Sequence, residues 1–214
     1  MRLFRWLFKK LILVVIILGV IFYFLQDQIM KFALPYIIAK NSNVKVRIAK
    51  VDSELQKGYI RLAGIVVLNP QGFKQEKLAE INSVVIDLNL KRLLLNKIHF
   101  SKLFVDIATI YIVKGENGMV NISRIKKPGT ESKKEKRRRQ ISIDKMHIRV
   151  GEVIYVDYSQ KPARAKRIRL NLDKEFTDVT DLRKTLIPLF TQIAVNKTLY
   201  GIKEKLRLPD FKIF

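Results

Sequence analysis

The chain has 214 residues, 48% of them hydrophobic, and its 42 Lys and Arg against 19 Asp and Glu give a formal net charge of +23. A chain this apolar can bury a core and is not wholly disordered, whereas so large a positive charge predicts attraction to nucleic acid, anionic lipid or lipopolysaccharide. The lack of Cys excludes disulfides, thiolate zinc sites and cysteine nucleophiles.

The N-terminal segment has the composition of a membrane anchor. Leu11–Leu25 carries no charge, and four basic residues precede it, two of which can snorkel to lengthen the span. A cleaved signal peptide is the alternative, but no small-x-small triplet follows the apolar run. We therefore predict a transmembrane anchor over residues 1–28 and a linker helix over 29–43. The basic flank predicts a single-pass bacterial inner-membrane protein with a cytoplasmic N-terminus and a periplasmic body.

Residues 44–178 predict an antiparallel β-sheet domain. Apolar and polar residues alternate with a period of two, which is typical of strands with one buried face. Asn69–Gly72 predicts a turn, and the Asn-Gly pair at 117–118 predicts a hairpin between residues 110–113 and 119–122.

One segment of the chain is repeated. Residues 98–111 align without gaps on residues 141–154, an offset of 43, with Lys102 on Lys145 and Ala108 on Gly151. The repeat predicts a strand-kink-strand unit used twice in one sheet, and chance similarity between β-rich segments is the alternative.

The last two predicted segments are a loop and a helix. Residues 126–139 hold eight basic and two acidic residues and a Pro-Gly pair, so we predict a disordered basic loop. Within it, the cations expected to contact anionic headgroups are Lys133, Lys134, Lys136, Arg137, Arg138 and Arg139. Residues 179–214 predict an amphipathic helix and tail, with Thr180 or Asp181 as the N-cap and Pro188 as a kink.

Several of these segments resemble the AsmA-like family. The similarity is carried by the strand and turn at Gly64–Phe73, the alternating strand at 84–88, the leucines at 93–95 and the Gly-rich turn that leads to Asn121. The resemblance implies an inner-membrane-anchored periplasmic protein with a curved antiparallel sheet and an apolar groove, acting in outer-membrane biogenesis and phospholipid passage. Eight or so strands make a sheet only ~35–40 Å wide, which is too narrow to bridge a periplasm.

The period-two pattern gives a hypothesis for the lipid site. One face of the sheet is expected to receive acyl chains, and its residues are Ile60, Leu62, Val84, Ile86, Leu88, Ile98, Phe100, Val105, Ile107, Ile110, Ile112, Ile148, Val150, Ile154 and Val156. The alternative is that the C-terminal helix packs on this face and closes an ordinary core.

The sequence favours a non-enzymatic function. It contains no nucleotide-binding loop, nucleophile elbow or zinc-protease motif, and it predicts no metal and no cofactor. His99 and His147 fall on predicted polar faces and are interpreted as surface histidines. Membrane lipids are the expected partners. Envelope proteins that bind through sheet edges are a second class, and a nucleic-acid binder is disfavoured because no nucleic-acid-binding motif accompanies the charge.

Overall fold

The computed structural model describes residues 2–95, 97–125, 141–182 and 184–185. A long N-terminal helix precedes six strands, a short helix and two 3₁₀ turns. In chain order the elements are α1 (Arg2–Asn41), β1 (Val46–Glu54), a 3₁₀ turn (Leu55–Lys57), β2 (Tyr59–Leu68), β3 (Lys77–Leu88), α2 (Leu90–Leu94), β4 (Ile98–Lys114), a second 3₁₀ turn (Asn121–Arg124), β5 (Ile141–Asp157) and β6 (Arg164–Val179).

The six strands form one sheet in the order β1-β2-β3-β4-β5-β6. The predicted combination of an apolar N-terminal helix and a mainly β body is confirmed. Four of the five strand pairs are antiparallel as predicted, and the β4–β5 pair differs because it is parallel. The connection between β4 and β5 returns the chain to the end of the sheet where β4 begins, which is what a parallel neighbour requires.

The sequence repeat coincides with the parallel pair. The β4–β5 register runs from Ile98 opposite Ile141 to Lys114 opposite Asp157, so partners differ by 43 residues throughout. This is the offset of the repeat. Equivalent residues of the two copies therefore lie side by side on neighbouring strands, and apolar positions of one copy extend the apolar positions of the other.

The hairpin predicted at the Asn-Gly pair is wrong in its second strand. Gly118 has the positive φ that the turn requires, +77°. However, only Lys114 and Val120 form a β-bridge. Beyond it the chain turns into the 3₁₀ segment 121–124. The returning segment lies on the side of β4 that β3 already occupies up to Ile110, opposite Ala79.

Asn121 fixes this reversal. Its side chain is fully buried, and its Oδ1 accepts the N–H groups of Val113 and Ile122, both at 2.9 Å. Its Nδ2 donates to Oδ1 of Asn69 at 2.7 Å and to the carbonyl of Tyr111 at 2.8 Å. All four hydrogen-bonding positions of the amide are used, and they join the β2–β3 turn to β4.

A line of irregularities crosses the whole sheet. Every strand has a point near its middle at which the regular pairing is interrupted or shifted, and these points are neighbours across the sheet. We call them the bulge line, which consists of Ala49, Gly64, Asn82, Ala108, Gly151 and Asn171. Each bulge changes which alternate residues face a given side, so apolar residues three apart, such as Ile48 and Val51, share one cluster.

We predict that Asn121→Asp destabilises the fold. Both Nδ2 hydrogen bonds become contacts between oxygen atoms in a buried site, which costs about 2–4 kcal/mol of unfolding free energy. Chemical unfolding of the full chain in detergent measures this loss. Asn117→Asp is the matched control, because Asn117 is exposed and uses only its Oδ1, which accepts the N–H of Met119 at 3.1 Å. Equal stability of the two variants would contradict the assigned role of Asn121.

Candidate functional site

Helix α1 contains a long apolar segment that is open to its surroundings. From Leu11 to Leu25 the large side chains are between 44% and 74% exposed. Within the described residues, one helical stretch, Lys10–Asn41, is long and apolar enough to cross a membrane, with a mean hydropathy of 2.2 in its most apolar window. An exposed apolar surface of this length is what a bilayer covers.

The same helix then docks on the sheet without a break. Oδ1 of Asp27 accepts the backbone N–H of Ser53 at 2.8 Å and the Ser53 hydroxyl at 2.5 Å. One and two turns further on, Met30 and Leu34 pack on a buried cluster in β1 and β2, whose members are Ile48, Val51 and Ile65. Strand β1 therefore runs back along the docked part of α1, toward the apolar segment.

This packing gives the sheet a direction. Because Ser53 lies beside Asp27, the sheet has a proximal end next to the apolar segment of α1, where β1 and β3 end and where β2, β4 and β5 begin. The distal end carries the Asn69–Asn121 hydrogen bond. The strands thus extend outward from the level at which α1 leaves its exposed apolar segment.

One side of the sheet is apolar across all six strands. We call it the apolar face, the side that carries Ile65, Val105 and Ile148, which are linked through the strand registers. All eleven residues with the firmest lipid prediction lie on it: Ile60, Leu62, Val84, Ile86, Leu88, Ile98, Phe100, Val105, Ile107, Ile148 and Val150. Val150 is buried and the other ten are half-buried.

The bulge line explains where the period-two reading fails. Ile110 and Ile112 lie on the apolar face, but Ile154 and Val156 lie on the opposite side. Beyond Gly151 the alternation changes phase, so it is Tyr155 that packs with Ile112 and Ile168.

A second phase change brings onto the apolar face further residues that strict alternation does not predict. The β3–β4 register shifts beside Ser101, so Phe100 and Leu103 join one cluster although they are three residues apart. Ile143 and Met146 repeat this spacing on β5. The sequence signal was present, because Leu103 and Met146 are matched positions of the repeat, but strict alternation excluded both.

Two parts of the sequence prediction fall largely outside the described residues. The basic cations Lys133, Lys134, Lys136 and Arg137–Arg139 belong to residues 126–140, which the structure does not describe. Of the predicted C-terminal helix, residues 186–214 lie outside too. At its start, Oδ1 of Asp181 accepts the N–H of Lys184 at 3.3 Å, as an N-cap does, and Leu182 packs against the cluster of Ile143, Met146 and Val179.

The opposite side of the sheet carries a polar cluster at the bulge line. His147 Nε2 lies 2.5 Å from Asp173, and Arg149 donates from Nε to the same carboxylate at 2.9 Å. The hydrogen bond with His147, followed by that with Arg149, holds the pKa of Asp173 below its usual value. Asn82 and Asp106 complete the rim of a pocket of about 350 Å³. Among the described residues, no group of three or more His, Asp and Glu has the arrangement of a metal site.

His99 is not a surface histidine, which corrects the sequence interpretation. It is 4% exposed, and its Nδ1 lies 3.1 Å from Arg92 and 2.7 Å from the Ser142 hydroxyl. Because Arg only donates, Nδ1 is the acceptor, and Nε2–H donates to Asp144 at 2.9 Å. The ring joins α2 to the proximal ends of β4 and β5 and has a structural role.

Comparisons of the chain with protein-family models, with curated proteins and with solved structures found no match.

We predict that Asp27→Leu loosens the docking of α1. Loss of a hydrogen bond to a charged acceptor speeds exchange of the Ser53 amide by about tenfold or more. Hydrogen–deuterium exchange of the full chain in detergent measures this rate. Gln28→Leu is the control, because Gln28 is exposed on the neighbouring position of the same helix. Unchanged exchange at Ser53 in the Asp27 variant would show that the helix is held elsewhere.

We predict that Gly64→Ala destabilises the sheet more than Gly118→Ala. Both glycines have positive φ, +62° and +77°, so both variants carry a backbone cost of about 1–2 kcal/mol. A Cβ on Gly64 also lies 2.8 Å from the Cβ of Ala49, whereas one on Gly118 meets nothing within 4 Å. Thermal unfolding of the two variants isolates the close approach at the bulge line. A Gly64 variant no less stable than its control would contradict that contact.

Proposed function

We propose that this chain is a membrane-anchored, non-enzymatic protein of the bacterial cell envelope that binds lipid acyl chains on the apolar face of its sheet. One observation carries the proposal. Helix α1 passes without a break from an exposed apolar segment to its docking site on the apolar face, where Met30 and Leu34 pack on β1 and β2. In an anchored molecule the apolar face therefore begins at the bilayer surface.

The energetics of acyl-chain burial favour such a site. Each methylene group that moves from water onto an apolar surface contributes about 0.8 kcal/mol. Because ten of the eleven predicted contact residues are only half-buried, the apolar face has surface left for an added chain. Because the strands stand outward from the membrane, a lipid acyl chain can leave the bilayer and stay in apolar contact along the sheet.

The compartment follows from the N-terminal charge. The basic flank before the apolar segment favours a cytoplasmic N-terminus, and with it a periplasmic sheet. The resemblance to AsmA-like proteins supports the same location and lipid partners, either anionic phospholipid or lipopolysaccharide. The longest strands have 17 residues and reach about 58 Å from the membrane at ~3.4 Å per residue, so we propose lipid handling at one membrane only.

An envelope scaffold that binds partners through its sheet edges has less support. The edge strands are β1 and β6, and both are rich in charge. Charged edge strands are a common way for proteins to prevent strand addition. The apolar face, by contrast, has a lipid phase beside it.

We predict that a photo-cross-linking residue at Val105 captures phospholipid. Benzoylphenylalanine replaces Val105 in the full chain, which is reconstituted into phosphatidylethanolamine and phosphatidylglycerol vesicles. Because Val105 is half-buried on the apolar face, illumination is expected to give a lipid adduct that mass spectrometry detects. The adduct is expected in at least severalfold excess over the control.

Lys102 supplies the matched control. It lies on the same strand three residues away, is exposed and faces the opposite side of the sheet. Both labelled proteins are checked for the unfolding midpoint of the unlabelled chain. If a folded Val105 variant yields no more adduct than the Lys102 variant, the apolar face does not bind lipid.

A further inference from the structure

The proximal end of the sheet exposes apolar side chains beside the membrane anchor. Outside α1, the described residues include four large apolar side chains that are exposed. Three of them are at the proximal end: Leu93 at 37%, Leu95 at 71% and Ile141 at 38%. The fourth, Met119, is in the turn at the distal end. We call Leu93, Leu95 and Ile141 the proximal rim.

The rim lies at the level where α1 leaves its exposed segment. Asp27 is hydrogen-bonded to Ser53, whose neighbours across the sheet are Ile60 and then Ile86. The chain continues from there past Leu88 into α2, farther toward the proximal side. Ile141 begins β5 opposite Ile98, at the same end. The rim thus projects beyond Asp27 in the direction of residue 25.

The turn that exposes these leucines is held by hydrogen bonds. Oδ1 of Asn89 accepts the N–H of Arg92 at 3.1 Å and caps α2. The N–H groups of Leu95 and Lys97 both donate to the carbonyl of Arg92, at 3.0 and 3.1 Å. The Arg92 guanidinium in turn donates to the buried ring of His99. Backbone and side-chain hydrogen bonds therefore hold Leu93 and Leu95 in place.

Cations accompany the apolar side chains. Lys91 precedes Leu93 and Lys97 follows Leu95, and both lysines are exposed. Apolar side chains interleaved with Lys are the combination that binds a bilayer interface, because the former enter the headgroup layer while the latter meet anionic headgroups.

We propose that the proximal rim is a second membrane contact, which binds the anionic surface of the bilayer that holds α1. This inference rests on the anchoring in the proposed function and goes beyond it. A single helix leaves the sheet free to rotate about the membrane normal and to tilt. Contact through Leu93, Leu95 and Ile141 fixes its tilt, so that the proximal end of the apolar face stays against the lipid.

The test uses single cysteines, because the chain has no cysteine of its own. Leu95→Cys carries an environment-sensitive nitrobenzoxadiazole label in the full chain, reconstituted in phosphatidylethanolamine and phosphatidylglycerol vesicles. Met119→Cys is the matched control, an exposed apolar position at the distal end. Doxyl-labelled lipid in the same vesicles is expected to quench the label at 95 at least twofold more than the label at 119. Phosphatidylcholine vesicles are expected to reduce this difference.

Several outcomes would overturn the inference. Equal quenching at 95 and 119 means that the rim lies in water, and quenching only by doxyl lipid in separate vesicles means that it binds a different membrane. Quenching unaffected by lipid charge removes the role of the lysines. The Val105 cross-link is measured in the same vesicles, so a lipid adduct with an unquenched label at 95 rejects the rim and leaves the proposed function standing.

Discussion

The structure depends on helix α1, which is an exposed apolar segment in its first part and packs on the sheet in its second part. From Leu11 to Leu25 the surface of α1 is apolar on all sides, and from Gln26 it must dock on a sheet in water. The change is made within one turn, where Asp27 accepts two hydrogen bonds from Ser53 and where Met30 begins the packing on β1. A rigid continuation transmits the orientation of the anchor to the sheet, which a flexible linker could not do. The direction of the strands and the position of the apolar face both follow from this junction.

The two sides of the sheet could be predicted from the sequence between its bulges, and not across them. Alternation placed Ile60, Leu62 and Val84 correctly because these residues lie within one uninterrupted stretch of paired strand. It misplaced Ile154 and Val156 because the alternation is interrupted at Gly151, where the register with β6 shifts and the phase reverses. Small residues and Asn at the bulge line were visible in the sequence, but their alignment across six strands depends on registers that no local pattern encodes. Period two is thus reliable for stretches of strand, and bulges decide how these stretches join.

The parallel pair shows the same limit at the level of topology. The repeat offset of 43 was visible in the sequence and equals the register of β4 with β5. Nevertheless, the Asn-Gly turn favoured a hairpin, because local turn chemistry does not reveal which strand will occupy the edge of β4. Asn121 decides the competition, since its side chain takes the N–H of Val113 and the chain leaves the sheet. The resemblance to AsmA-like proteins included Asn121 and the Asn69 turn, and these two residues are hydrogen-bonded to each other. These two residues of the resemblance therefore have a structural role.

The two ends of the sheet differ in a way that bears on lipid binding. At the distal end, the Asn69–Asn121 bond and the bond from Asn43 Nδ2 to the Arg124 carbonyl, at 2.6 Å, tie the turns to the segment after α1. Hydrogen bonds of this kind keep the turns from separating from the segment after α1. At the proximal end, the bonds from Ser53 to Asp27 and those of His99 to Arg92, Ser142 and Asp144 also join the elements, but the exposed Leu93 and Leu95 lie beside them. Under the proposed function, the membrane side is the less costly route for an acyl chain, because entry there exchanges one apolar contact for another, whereas entry at the distal end would have to displace the partly buried Asn69–Asn121 hydrogen bond.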